Sequence, residues 1–120
     1  MEFIFDNDRP IYIQLIEQLE QHIVSGRLQP GERLPSVREY ALISKVNPNT
    51  MQKALGELEE RGLIFTERTN GKFVTRDVEL LKECREKYAD KKAREFLSAM
   101  KELGFTTTEA MEFMNKIGGN

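Results

Sequence analysis

Apolar side chains recur every three or four positions along most of the chain, which is the spacing of helices with one buried face. In the first helix this stripe begins at Ile11 and ends at Ile23. We interpret Asp8 as the cap of this helix and Pro10 as its first residue. A short acidic side chain accepts from unpaired backbone amides, and proline has no amide to leave unpaired. Gly26 is expected to end the helix.

The second helix follows a connector that contains two prolines and two glycines, a composition typical of turns. Ser36 and Glu39 are three residues apart, which is the spacing of a capping box. The helix that they open is short, and we expect it to end near Ser44 or Lys45.

The third helix begins at Asn47 and Pro48, a cap followed by a first-turn proline. Gly62 is expected to end it. Between these points four apolar residues share one face, which predicts that this face is buried. They are Met51, Ala54, Leu55 and Leu58.

A strand, a turn and a second strand follow the third helix. Residues 63–67 and 73–75 have the composition of short strands, and Asn70-Gly71 lies between them. Asn-Gly is a strong signal for a small hairpin. Two short helices followed by a hairpin predict a winged helix-turn-helix, a unit that places its second helix in the DNA major groove.

The character of the chain changes after Asp77. Residues 78–103 are dense in charge, contain no Pro or Gly, and have an incomplete heptad-like stripe, so we expect one long helix. Gly104 ends it, and Thr106 with Glu109 forms a capping box for a last short helix. The predicted fold class is therefore mainly α with a small β-hairpin. A winged helix-turn-helix domain occupies residues 1–76 and a helical dimerisation region occupies residues 77–120.

The two tail helices carry more apolar side chains than they can bury within one copy of the chain. Exposed apolar surface of this extent usually marks an interface, so we expect the tail to form a homodimer. The predicted interface residues are Leu81, Tyr88, Phe96, Leu97, Met100, Phe113 and Met114. Because both helices are needed for this contact, no dedicated small-molecule pocket is expected outside the dimer junction, and no cofactor is expected.

Composition adds little to this pattern. The net charge is −2, which does not identify a nucleic-acid binder, although steering depends on local charge rather than on the total. Apolar runs are too short to span a membrane, and a single cysteine, Cys84, suits a reducing cytoplasm. We therefore expect a cytoplasmic protein.

The face of the third helix opposite its apolar stripe carries polar residues. Asn49 and Gln52 have amides that can pair bidentately with adenine, and Lys53 supplies a charge for phosphate. Arg38 lies where the first helix of such a motif crosses the DNA backbone. Each of these side chains is also common on a solvated surface, and Arg38 could pair with Glu39 or Glu32 instead. The candidate DNA-binding residues are Arg38, Asn47, Asn49, Thr50, Gln52, Lys53, Gly71 and, at the wing tip, Lys72.

These motifs together resemble the DNA-binding domain of GntR-type bacterial transcriptional regulators, over about residues 9 to 76. The short helical tail is similar to that of the YtrA-like subfamily. The matching pieces are Pro10-Ile11-Tyr12, the run from Ser25 to Glu39, Asn49-Thr50 with Ala54-Leu55, and the wing from Gly62-Leu63-Ile64 to Gly71-Lys72-Phe73-Val74.

The resemblance implies a dimeric regulator, and most often a repressor, that binds an operator of two related half-sites. Arg38, Asn49, Thr50 and Gly71 match DNA-contacting positions of the family. Three positions depart from its pattern: Pro48 and Gln52 stand where arginine is frequent, and Lys45 stands where glycine is usual.

Two other classes of function compete with DNA binding. An enzyme is not expected, because His22 is the sole histidine and the chain has no Ser/His/Asp set, no metal-ligand spacing and no phosphate-binding glycine loop. The alternative is a winged helix that binds proteins and not DNA. A covered or acidic face around Asn49, Gln52 and Lys53 would favour that alternative.

Overall fold

The computed structural model describes residues 2–119, and within them it has five helices and one antiparallel two-stranded sheet. This confirms the predicted fold class. The chain separates into two compact units, one ending at Cys84 and one beginning at Arg85. In chain order the elements are α1 (Ile11–Val24), α2 (Val37–Ser44), α3 (Pro48–Glu60), β1 (Ile64–Glu67), β2 (Gly71–Val74), α4 (Val78–Glu102) and α5 (Thr107–Gly118).

The core of the first unit lies mainly between α1 and α3. Leu15 and Leu19 of α1 are at most 1% exposed, and the predicted stripe of α3 is 0% exposed at every position. Each such leucine stabilises the fold by about 1.5–3 kcal/mol relative to an exposed one. Tyr40 of α2 and Val74 of β2 close the same core. The rotation of α3 about its axis is therefore fixed by burial.

The start of α1 differs from the prediction. Pro10 is the N-cap rather than the first helical residue, and no side chain caps this helix. Asp8 is not the cap, because the preceding segment is held by Gln14 instead. The buried amide of Gln14 donates to the carbonyl oxygens of Asp6 and Arg9 at 3.0 and 2.8 Å, and its oxygen accepts from the Asp6 amide at 2.9 Å.

The helix ends within the helix-turn-helix follow the prediction. Ser36 and Glu39 form the reciprocal capping box, with both hydrogen bonds at 3.1 Å. The Asn47 side chain caps α3 by accepting from the Asn49 amide at 2.8 Å. Between them, Lys45 ends α2 with φ +59°, the left-handed conformation that favours glycine.

The hairpin loop is shorter than predicted. β2 begins at Gly71 and not at Phe73, and Gly71 pairs with Glu67, which leaves residues 68–70 as a three-residue loop. The Asn70 amide donates to the Glu67 carbonyl at 3.2 Å, and Gly71 follows with φ +99°. A turn followed by a glycine with positive φ is the usual form of three-residue hairpin loops. Asn-Gly thus spans the end of the loop and does not form its centre.

The connector between α1 and α2 covers the free edge of β2. The Leu34 amide donates to the Lys72 carbonyl at 2.8 Å, and the Val74 amide donates to the Glu32 carbonyl at 2.9 Å. An edge strand left open exposes unpaired backbone groups. This pairing satisfies them and joins the wing to the helix-turn-helix.

The first turns of α4 belong to the first unit. Leu81 is 8% exposed within the core, and Leu80 and Cys84 pack against it. This corrects the assignment of Leu81 to a subunit interface, because its side chain is already buried in the winged helix.

The second unit contains the remainder of α4 and α5. Gly104 has φ +91° after α4, and Thr106 with Glu109 forms the predicted capping box of α5. Phe105 and Phe113 meet edge to face with ring centroids 5.2 Å apart. Across residues 2–119, each helix is either too short or too polar to cross a lipid bilayer.

Lys45→Gly is expected to raise the free energy of unfolding by up to about 1 kcal/mol, because a Cβ is strained in the left-handed region. Urea unfolding followed by circular dichroism measures this. Lys45→Ala is the control, since it removes the same charge and keeps the Cβ. A Lys45→Gly protein no more stable than Lys45→Ala would contradict the strain.

Candidate nucleic-acid interface

The outward face of α3 consists of Asn49, Gln52, Lys53 and Gly56, and all four are exposed. The predicted orientation of the helix is therefore correct. The side-chain amides of Asn49 and Gln52 make no hydrogen bond to any of residues 2–119. Both donors and the acceptor of each amide thus remain available for a base edge.

Asn47 and Thr50 flank this face and are less available. The side-chain oxygen of Asn47 accepts one hydrogen bond as the cap of α3, and its NH2 group makes no bond to any of residues 2–119. Thr50 is half-buried at the first turn of α3. Both lie at the positive end of the helix, where backbone amides favour a phosphate oxygen.

Arg38 is exposed in the first turn of α2 and forms no ion pair with any of residues 2–119. Its two expected carboxylate partners are engaged elsewhere. Glu39 bonds to Ser36, whose backbone amide lowers the pKa of that carboxyl. Glu32 accepts from the Gln29 amide at 2.8 Å. The guanidinium is therefore free to meet a phosphate.

Lys72 does not lie at the wing tip. It stands in β2 opposite Thr66, and its ammonium group bonds to Glu59 Oε1 of α3 at 2.8 Å. The tip is formed by residues 68–70, so Arg68, which is exposed there, is its cation. The sequence prediction starts the second strand two residues too late, at Phe73 and not at Gly71, and this put Lys72 in the turn.

Glu59, Thr66 and Lys72 form a small network that ties the wing to α3. Glu59 accepts from the Thr66 hydroxyl and from Lys72, both at 2.8 Å, and Lys72 also bonds to Thr66 at 3.0 Å. The hydrogen bonds from Lys72 and Thr66 lower the pKa of Glu59. The network sets the position of the wing relative to the recognition helix.

A second network joins α3 to the start of α1. The Tyr12 hydroxyl donates to Glu57 Oε2 at 3.0 Å, and the Lys53 ammonium lies 4.8 Å from the centre of the Tyr12 ring. Burial and the bond to Glu57 raise the pKa of Tyr12. Lys53 forms no ion pair within the described part of the chain.

His22 is a buried residue that packs within the first unit. It is 4% exposed, its ring meets that of Phe3 at 5.4 Å, and its Nδ1 has no hydrogen-bond partner among residues 2–119. Burial lowers the pKa of this imidazole. No group of three metal-ligating side chains is assembled in the same residues.

The tail exposes apolar side chains on and beside α5. Phe113 and Met114, both predicted interface residues, are 41% and 54% exposed, whereas Tyr88, Phe96, Leu97 and Met100 of α4 are half-buried. We call the exposed set the apolar tail surface, and it consists of Leu103, Met111, Phe113, Met114 and Ile117. A shallow groove of about 320 Å³ on α5 lies between Phe105, Glu109, Glu112, Phe113 and Lys116.

Residues 11–74 match the model of the family described as bacterial regulatory proteins, gntR family. The HTH-type transcriptional regulator YhcF of Bacillus subtilis is 39% identical over 112 residues, which cover 93% of both chains. The HTH-type transcriptional repressor YtrA of the same species is 47% identical over 66 residues, covering 55% of this chain and 51% of YtrA.

Solved structures agree with this relation. A GntR family transcriptional regulator from Listeria monocytogenes superposes with a TM-score of 0.87 at 36% identity, over 93% of this chain and 98% of that one. The AraR DNA-binding domain in complex with its operator ORX1 superposes with a TM-score of 0.57 at 28% identity, over 62% of this chain and 96% of that one.

Glu59→Gln is expected to lower the free energy of unfolding at neutral pH by under about 1 kcal/mol, since the ion pair with Lys72 is partly exposed. Because the folded-state pKa of Glu59 lies below its ordinary value of 4.5, the contribution is complete above that pH. It is lost as the pH falls through the folded-state value. Thermal unfolding of both proteins from neutral to acidic pH should show their difference closing in acid.

Glu60→Gln is the control, because Glu60 is exposed and forms no ion pair with any of residues 2–119. It should track the parent protein at every pH. A Glu59→Gln difference that persists unchanged below the folded-state pKa would show that the carboxylate charge is not what stabilises the network.

Proposed function

The chain belongs to the gntR family of bacterial regulatory proteins, and we propose that it represses transcription as a homodimer bound to an operator of two related half-sites. The observation that carries this proposal is the outward face of α3, where Asn49 and Gln52 present unengaged amides. The proposed site of action of the protein is the bacterial cytoplasm, where the chromosome lies.

Sequence readout is assigned to Asn49 and Gln52. An Asn or Gln amide can donate to and accept from the edge of one adenine at once, which discriminates by about 1–3 kcal/mol. Gly56 lies one turn further along the same face and has no side chain to project from it. The residue is exposed, and a Cβ added to it would have no neighbour within 4 Å. The face can therefore approach the floor of a major groove.

Contacts with the sugar-phosphate backbone of DNA are assigned to cations and amides around the outward face of α3. Arg38 approaches from α2, Asn47 and Thr50 from the N-terminal end of α3, Arg68 from the wing loop and Gly71 from the start of β2. Such contacts fix orientation and are independent of base sequence. Lys72 is not assigned a DNA contact, because Glu59 holds its charge.

Dimerisation is assigned to the apolar tail surface together with Tyr88, Phe96, Leu97 and Met100. A second copy of the same face would bury these side chains about a two-fold axis. The two winged helices would then meet half-sites near one turn of DNA apart. The groove on α5 borders this surface, so a small apolar ligand would act through dimer geometry.

A winged helix that binds only proteins is the competing function. The family relation and the available cation of the outward face, Lys53, favour DNA. Footprinting on the protein's own upstream DNA tests the proposal, because small regulators of this kind often control their own operon. Protection of two related sequences supports it, whereas no protection and no gel shift with genomic fragments would favour the protein-binding alternative.

Asn49→Ala and Gln52→Ala should each cost about 1–3 kcal/mol on the operator and little on random DNA, because only base pairing is lost. Fluorescence anisotropy with both duplexes measures this difference. An equal loss on both duplexes would reject base readout by that residue.

Arg38→Ala is the matched contrast, since it should weaken binding to both duplexes alike. Removing one phosphate contact also lowers the slope of log affinity against log salt by about 0.9. If the slope and affinity stay unchanged, Arg38 is an ordinary surface residue.

The double variant Phe113→Glu and Met114→Glu should convert the dimer into monomers, because four new charges would face one another across the two-fold axis. Sedimentation velocity measures the state. Asn115→Glu, an exposed neighbour, is the control and should remain dimeric. A double variant that also remains dimeric would place the interface elsewhere. Truncation after Arg76 is a poorer test, since it removes Leu81 from the winged-helix core.

A further inference from the structure

We propose that Tyr12 keeps the charge of Lys53 available to DNA by holding the Glu57 carboxylate away from it. The inference rests on the proposed binding of DNA by the outward face of α3, and it adds a positioning residue from a different helix. Tyr12 is not assigned a contact with DNA itself. Its role is to determine which groups Lys53 and Glu57 contact.

Lys53 and Glu57 are spaced so that an ion pair between them would be expected, and its absence needs an explanation. They lie four residues apart on α3, where opposite charges are neighbours and tend to pair. No such ion pair is present in residues 2–119. Glu57 instead accepts the Tyr12 hydroxyl at 3.0 Å, and Lys53 lies over the ring of the same tyrosine at 4.8 Å.

Lys53 can contact either the Glu57 carboxylate or the Tyr12 ring, and the two contacts differ in how much of its charge remains available to a ligand. A carboxylate would neutralise the ammonium group and occupy its donors. An aromatic face attracts a cation within about 6 Å of its centre, yet carries no net charge. Lys53 is exposed and forms no ion pair with any of residues 2–119, so its charge and its hydrogen-bond donors remain available to a ligand.

The position of Tyr12 is set by the core. It lies one turn before Leu15 on α1, and Leu15 is 0% exposed against α3. The tyrosine is therefore held beside α3 before DNA arrives. A lysine already confined over a ring loses less side-chain freedom when it meets a phosphate.

Tyr12→Phe tests the inference because it keeps the ring and removes the hydroxyl. Glu57 is then released to pair with Lys53. The expected result is a slope of log affinity against log salt lower by up to about 0.9, so that binding becomes about threefold less sensitive between about 50 and 200 mM salt. The probe is a random-sequence DNA duplex followed by fluorescence anisotropy, and thermal unfolding confirms that the variant is folded.

Removing the Glu57 charge should reverse the effect. Tyr12→Phe combined with Glu57→Gln is expected to recover the parent slope, since no carboxylate remains to capture Lys53. The matched control is Tyr12→Phe combined with Glu60→Gln, which removes one charge from the same helix at an exposed residue that does not bond to Tyr12. This control should keep the reduced slope.

Lys53→Met separates this inference from the proposed function. If the parent protein binds DNA and Lys53→Met lowers the slope, but Tyr12→Phe does not, the role of Tyr12 is overturned while DNA binding stands. Equal recovery by Glu57→Gln and Glu60→Gln would also overturn it, because a general charge effect would then suffice. A Lys53→Met protein with the parent slope rejects the phosphate contact itself, and absence of DNA binding in the parent rejects the proposed function.

Discussion

Burial of one face of α3 against α1 is the constraint on which the rest of the molecule depends. Met51, Ala54, Leu55 and Leu58 have no exposed surface, so α3 cannot rotate without returning apolar area to water at about 25 cal/mol per Å². Because residues on a helix are related by about 100° each, fixing this face also fixes the opposite one. The direction of the recognition side chains is thus a consequence of the core, and requires no contact with DNA.

Two acidic residues of α3, Glu57 and Glu59, are engaged by side chains of neighbouring elements. Glu57 accepts from Tyr12 of α1, and Glu59 accepts from Thr66 and Lys72 of the wing. Because the attraction of a polyanion depends on local charge, engaging these two carboxylates limits the negative charge beside the outward face of α3. The same hydrogen bonds join α3 to α1 and to the wing. One set of contacts therefore both engages the carboxylates and holds α3 in position.

Local signals predicted most of the fold, because they depend on groups close together in the chain. The capping boxes at Ser36 and Thr106 and the cap at Asn47 were all found as expected. Two local predictions, both at the ends of elements, were wrong because hydrogen bonds to other nearby residues decided the boundary. Gln14, and not Asp8, holds the segment before α1, and the pairing of Gly71 with Glu67 shortened the wing loop.

Periodicity in the amino-acid sequence is enough to predict the order of elements, the buried face of α3 and the outward position of Asn49, Gln52 and Lys53. Which charges remain available on that surface depends on contacts made in the folded chain. Lys72 is held by Glu59, whereas Lys53 lies over a tyrosine from 41 residues earlier in the chain. Periodicity tells which side of a helix a residue occupies, but the partner of a long charged side chain depends on what folding brings within about 4 Å of its end.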